Sequence, residues 1–211
     1  MWKNMFSMEN PVMQALGVAC DLLVYNILTA LCCLPVVTAG AALTALSDVS
    51  LRAVRGDETG ARGYFRAFRR SFPGGLLLGL LFLAAAIVLA VDYWAVGVYL
   101  PGSARLLRVP VLAAAVLLTA VALYAFFLQS RYENGLLDTL KNAAALAVGF
   151  FPRTLGMVVF TLGLWLVCLR FARQALPVLL LFGASLPAYV CALQFDKIFD
   201  IIDQNNEVQN P

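Results

Sequence analysis

Histidine is absent from the 211-residue sequence. That removes imidazole, the side chain most used for acid-base work near neutral pH and for holding metals. Charge is scarce as well: Asp, Glu, Lys and Arg make up 13% of the chain, against about a quarter in soluble globular domains. With 62% hydrophobic residues, a soluble fold of this length has nowhere to hide its apolar surface. The five cysteines, Cys20, Cys32, Cys33, Cys168 and Cys191, lie in apolar stretches and form no CxxC pair. They read as packing residues and not as zinc ligands. No Walker loop, GxSxG, HExxH or dinucleotide-binding glycine set is found, and no close Asp/Glu pair lies in an apolar run. The sequence therefore predicts no catalytic residues, no metal site, no cofactor and no enzyme activity.

What is abundant is long apolar runs. A helix crosses the roughly 30 Å hydrocarbon core with about twenty apolar residues, each rising about 1.5 Å. Five such runs are found, at about residues 14–36, 74–98, 107–129, 151–169 and 176–195. The chain is thus expected to be a single all-α membrane domain over residues 1–211. Pro73 is read as a first-turn residue that opens the second span. The residues before the first run carry one lysine and several polar groups, which suits a retained anchor better than a cleaved signal peptide. Val36 to Leu46 is also apolar, but Asp48, Arg52 and Arg55 follow too soon for a comfortable sixth crossing. That stretch reads either as a helix continuing past a kink at Pro35 or as one dipping partway into the membrane.

Lys and Arg fall unevenly on the two sides of five spans. One side holds ten, with Arg52, Arg55, Arg62, Arg66, Arg69 and Arg70 in the first connection, and the other holds Lys3, Arg105, Arg108, Arg170 and Arg173. The basic excess marks the cytoplasmic side, so five spans predict an N-terminus outside and a cytoplasmic C-terminus.

Two connections read as amphipathic helices on that face, at about 60–72 and 134–149. In the first, Arg62, Arg66, Arg69 and Arg70 recur at helical spacing, while Phe65, Phe68 and Phe72 mark another face. Such a helix suits anionic membrane lipid or a partner's groove, and nucleic acid is a poorly motivated ligand at a membrane. Phe72-Pro73 and Phe151-Pro152 close the two segments and hint at an internal repeat.

Intramembrane polar groups are candidates for function, and Asp21, Asn26 and Asp92 are the ones to weigh. Either they line a substrate or ion path, or they make pairs that fix helix packing. Gly75-Leu-Leu-Leu-Gly79 matches the small-xxx-small pattern of close helix approach, read as internal packing more than as a dimer seam.

The string from Leu34 to Leu46, then Leu51-Arg-Ala-Val-Arg-Gly-Asp-Glu58 and Tyr64-Phe-Arg-Ala-Phe-Arg-Arg-Ser-Phe72, resembles the YesL-like family of bacterial membrane proteins, a domain of unknown function. The motif positions are Pro35, Thr38, Gly40, Arg55, Gly56, Phe65 and Phe68. The resemblance implies a small multi-span protein of the bacterial inner (cytoplasmic) membrane. Members of that family are often encoded beside carbohydrate importers and two-component regulators, so the resemblance implies importer subunits or a sensor kinase as candidate partners. It supplies no catalytic residues. The expected role is a non-catalytic accessory or regulatory partner of carbohydrate uptake, with a permease-like transport component as the alternative.

Overall fold

The structure is a computed structural model that describes residues 11–57, 60–99, 106–132, 135–170 and 183–209. The described residues are helical throughout, with no strand among them. The helices are α1 (Pro11–Cys33), α2 (Ala39–Val54), α3 (Gly60–Tyr99), α4 (Arg108–Arg131), α5 (Leu136–Gly149), α6 (Phe151–Arg170) and α7 (Ser185–Gln209), with a 3₁₀ turn at Val36–Thr38. Among the described residues, four stretches are long and apolar enough to cross a membrane: Leu16–Cys33, Val36–Val54, Gly60–Tyr99 and Arg108–Arg131. A fifth arises if α5 and α6, which meet at 100°, form one broken span. The chain is an all-α membrane protein. Residues 176–182 of the expected fifth span, Lys3, Arg105 and Arg173 lie outside the described residues, and so does residue 134 at the start of the second surface helix.

Three sequence expectations change. First, Pro73 does not open a helix. The expected surface helix at 60–72 and the span at 74–98 are one 40-residue helix with Pro73 inside it. At about 1.5 Å per residue α3 is about 60 Å long, twice the hydrocarbon thickness, so much of it extends beyond the bilayer core. Second, the two Phe-Pro steps are not equivalent: one lies within α3, whereas Pro152 sits in the first turn of α6 just after the sharp bend. The geometry that would support an internal repeat is missing at this point.

Third, α2 is a helix in its own right that folds back beside α1. Pro35 cannot continue the first helix, and the Thr38 hydroxyl reaches the Cys32 carbonyl (2.6 Å) at the end of α1 and the Pro35 carbonyl (2.8 Å). The chain then reverses. The Tyr64 hydroxyl donates to the Ala42 carbonyl (3.3 Å) and accepts from Thr29 (3.0 Å), while Leu22 and Tyr25 share a core cluster with Leu46 and Val49. The start of α1 and the end of α2 therefore lie at the same end of the bundle. The expectation of an external N-terminus rested on a single crossing before Arg52, and this hairpin supplies two helical passes instead.

The α2 helix is the centre of the molecule, packing on α1, α3, α4 and α7. Gly40, Ala41, Ala42, Ala45 and Thr44 let it approach closely, and all are buried. At the crossing with α3, a Cβ added to Gly40 would overlap Gly75 O and Gly79 Cα, and one added to Gly75 would come within 2.9 Å of Ala41 Cα. The Gly75-xxx-Gly79 pair is thus an internal seam with Gly40 opposite it. A second core joins α4 and α7 through Phe127 stacked on Phe195, with centroids 4.3 Å apart, and Tyr124 edge-on to the same ring at 4.7 Å.

Candidate functional site

Among the polar groups expected within the membrane, Asn26 is almost fully buried, at 3% exposure. Its side-chain oxygen accepts the backbone N–H of Ala184 (2.8 Å) and of Ser185 (3.2 Å) at the start of α7. The first N–H groups of a helix have no partner within it, and in a bilayer an unpaired one is costly. A residue of α1 thus caps α7, far away in sequence, which is a structural role.

Asp21 is half-buried on α1, and Asp92 is exposed on the far part of α3. Its neighbour Tyr93 lies 4.9 Å beneath the Arg108 guanidinium at the start of α4. Asp92 is about 20 Å along α3 from Gly79, where α3 meets the start of α2. The structure therefore does not bring Asp21, Asn26 and Asp92 together in one cavity. A buried hydroxyl pair also joins helices: Tyr124 meets Thr154 (2.9 Å), which donates to the Ala147 carbonyl (2.9 Å) and so ties α4, α5 and α6.

Among the described residues, a polar cavity lies elsewhere, at the end of the bundle where arginines gather. Asp48, Leu51, Arg52, Arg55, Asp57, Arg70, Ser130 and Arg131 line it, and its volume is about 250 Å³. Helix ends build it. The α2 helix stops at Arg55-Gly56-Asp57, where Gly56 has φ +83°. The Gly56 N–H meets the Ala53 carbonyl (3.2 Å) and the Asp57 N–H meets Arg52 (3.0 Å). These two bonds form a Schellman cap, which needs a left-handed residue at the position Gly56 occupies. The Arg-Gly-acid step of the sequence is therefore the device that ends α2 and turns Asp57 to the cavity.

Two ion pairs fix the walls. Arg52 Nε meets Asp48 at 3.0 Å one turn earlier in α2, and Arg55 Nε meets Asp196 of α7 at 2.8 Å. From α4, the Arg131 guanidinium lies 4.6 Å over the Phe199 ring, a cation-π contact that holds the side chain against α7.

Of the predicted basic and aromatic set, Arg62, Arg66, Arg69 and Arg70 are all exposed on the first part of α3, and Arg70 alone of them lines this cavity. Phe65 is exposed, while Phe68 packs edge-on to Phe72 at 5.7 Å and against the core around Tyr64. The family-motif residues divide by role: Pro35, Thr38 and Gly40 shape the hairpin and its seam, and Arg55 and Gly56 shape the cavity. Sequence reasoning did not single out Asp48, Arg52, Asp57, Ser130 and Arg131 as a site. The sequence signal for them is that each stands at or beside a helix end, on the side richer in arginine.

The chain matches no curated protein and no solved structure. Residues 22–93, from within α1 through α2 and the hairpin seam to Tyr93 of α3, match the family model described as Protein of unknown function, DUF624, so the hairpin and three of the cavity's four arginines lie in a stretch similar to a domain of unknown function.

Proposed function

We propose that this protein is a non-catalytic accessory or regulatory partner of a carbohydrate uptake system in the bacterial cytoplasmic membrane. The observation that carries the non-transporting part of this reading is the cap on α7. Asn26, the most buried of the polar residues proposed to line a path, is committed to the backbone of Ala184 and Ser185. Asp92 is exposed far along α3. The arginine-lined cavity is lined by none of Asp21, Asn26 and Asp92. Most of the exposed arginines, Arg55, Arg62, Arg66, Arg69 and Arg70, gather at one end, where a soluble or membrane partner would meet them. The link to carbohydrate uptake comes from the resemblance to YesL-like proteins, which are often encoded beside carbohydrate importers and two-component regulators.

The arginine-rich end, with Arg52, Arg55, Arg62, Arg66, Arg69, Arg70 and Arg131, belongs on the cytoplasmic side by the excess of basic residues. Because α2 returns beside α1, the beginning of α1 shares that side, as does Asp196 of α7, which pairs with Arg55.

The experiment is purification from the native membrane in mild detergent through a tag on the C-terminal tail, followed by mass spectrometry. Importer subunits or a sensor kinase recovered in near-stoichiometric amount is the expected result. Recovery of this chain alone, together with sugar uptake by vesicles containing only this protein, would replace the accessory reading with transport.

A further inference from the structure

We propose that the arginine-lined cavity between α2, α3 and α4 binds the phosphate of an anionic phospholipid headgroup, and so seats one lipid at a fixed point on the bundle. The argument begins with charge. Four arginines, Arg52, Arg55, Arg70 and Arg131, face two aspartates across the lining. Counting Asp196, which pairs with Arg55, the excess is still positive. Guanidinium groups present planar forks of N–H donors that match phosphate oxygens in pairs, which a point-like ammonium does not do. The carboxylates of Asp48 and Asp196 hold Arg52 and Arg55 in place, and the Phe199 ring supports Arg131. Ordering these long side chains beforehand lowers the entropy cost of binding.

Size narrows the ligand. At about 250 Å³ the cavity is below the roughly 300 Å³ lower end of small-molecule sites. A phosphate with its immediate ester fits within it, and the rest of a larger ligand must lie outside.

Depth selects the source of that phosphate. On α3, Arg70 lines the cavity, Phe72 just after it is exposed, and from Leu77 to Val91 the exposed side chains are apolar, among them Leu77, Leu80, Leu81, Ile87 and Val88. On α6 the same change occurs between Arg153 and the exposed Leu155 and Val159. On α4, Arg131 ends the helix, and the exposed residues Leu117 and Val116 lie further into the apolar belt. The cavity thus opens at the polar edge of the apolar belt, the level of lipid phosphates, with an apolar α3 surface below it for the acyl chains. Basic pockets between helices at this level are the expected seats of anionic headgroups.

The test titrates the full chain in neutral detergent with dioleoyl phosphatidylglycerol, dioleoyl phosphatidylcholine or inorganic phosphate. Binding is read by native mass spectrometry and by the rise in unfolding temperature. Phosphatidylglycerol is expected to bind and stabilise, with phosphatidylcholine and inorganic phosphate far weaker. Arg70→Gln should weaken phosphatidylglycerol binding about fivefold, the effect of one basic contact at a membrane surface. Arg131→Gln should do at least as much. Arg62→Gln combined with Arg66→Gln, exposed and outside the cavity, should leave it unchanged. The Arg70 side chain is exposed, so that variant keeps the measurement readable even where Arg131→Gln fails to fold. Three results would overturn the proposal: Arg70→Gln binding like the unaltered chain, the Arg62/Arg66 pair weakening binding as much as Arg70→Gln, or inorganic phosphate alone giving the full stabilisation. The second would assign the effect to diffuse surface charge and the third to a free anion. Each of these outcomes leaves the accessory reading standing, since co-purification with importer subunits is measured separately.

Discussion

Substituting Gly40 by alanine tests the hairpin seam on which the fold is built. The added Cβ would overlap Gly75 O and Gly79 Cα and stand 2.7 Å from Gly79 N. All three are backbone atoms, which cannot rotate away as a flexible side chain can. Ordinary carbon contact needs about 3.5–4.0 Å, so α2 and α3 must separate by about 1 Å at the crossing, and a gap of that size forfeits up to about half of each dispersion contact along the seam. Overpacking of this kind costs about 3 kcal/mol at the upper end of the usual range. Alanine returns about 1 kcal/mol through its better helix propensity, leaving a net loss of about 2 kcal/mol. Gly156→Ala in α6 is the matched control, because a Cβ there meets nothing within 4 Å. It should be neutral or stabilised by up to about 1 kcal/mol. The two variants should therefore differ by about 3 kcal/mol, well outside measurement error. Reversible unfolding in mixed micelles with increasing sodium dodecyl sulfate, followed by circular dichroism, reads this difference. Gly40→Ala unfolding within about 0.5 kcal/mol of Gly156→Ala, the usual scatter for substitutions that touch nothing, would show that α2 and α3 do not cross here.

Asn26→Ala leaves the N–H groups of Ala184 and Ser185 without their side-chain acceptor and should cost about 1–2 kcal/mol by the same unfolding assay; an unchanged midpoint would remove Asn26 from its capping role. The α1–α2 hairpin predicts that a cysteine placed at Gln14 and one placed at Asp57 are both labelled from the cytoplasmic side by a membrane-impermeant maleimide, in a background where the exposed Cys20 is replaced. Labelling of the two from opposite sides would restore the single crossing that the sequence suggested.

The helical class, the first span and the span at 107–129 were legible because they depend only on run length and hydropathy, which the bilayer fixes. The seam was half legible: Gly75 and Gly79 advertise a close approach, but the sequence does not say that Gly40 is what approaches. Pro73 misled because a proline preceded by arginines and followed by an apolar run looks the same whether it opens a helix or lies within one. A separate pass by α2 is hard to read from sequence because Asp48, Arg52 and Arg55 follow its apolar run closely. In the structure Arg52 is paired within its own helix to Asp48, and Arg55 is paired to Asp196, 141 positions later. A pairing over that distance leaves no local trace, which is why the cavity was missed while the repeating arginines of α3 were noticed.

The two kinds of polar residue in this chain answer to the same solvent in opposite ways. Uncharged groups within the bundle join helices: Asn26 meets two backbone N–H groups, Tyr64 joins Thr29 to the Ala42 carbonyl, and Thr154 joins Tyr124 to the Ala147 carbonyl. In hydrocarbon these bonds have no competing water, so they fix which helices touch. Guanidinium groups lose too much hydration to follow and collect where helices end. Because α2 is short and turns back, its end, the first part of α3 and the ends of α4 and of the apolar part of α7 converge at one level. The hairpin that uses up the buried polar groups is thereby also what brings Arg52, Arg55, Arg70 and Arg131 around one cavity. A variant that loosens the Gly40 seam should disturb that cavity although it touches none of its charges.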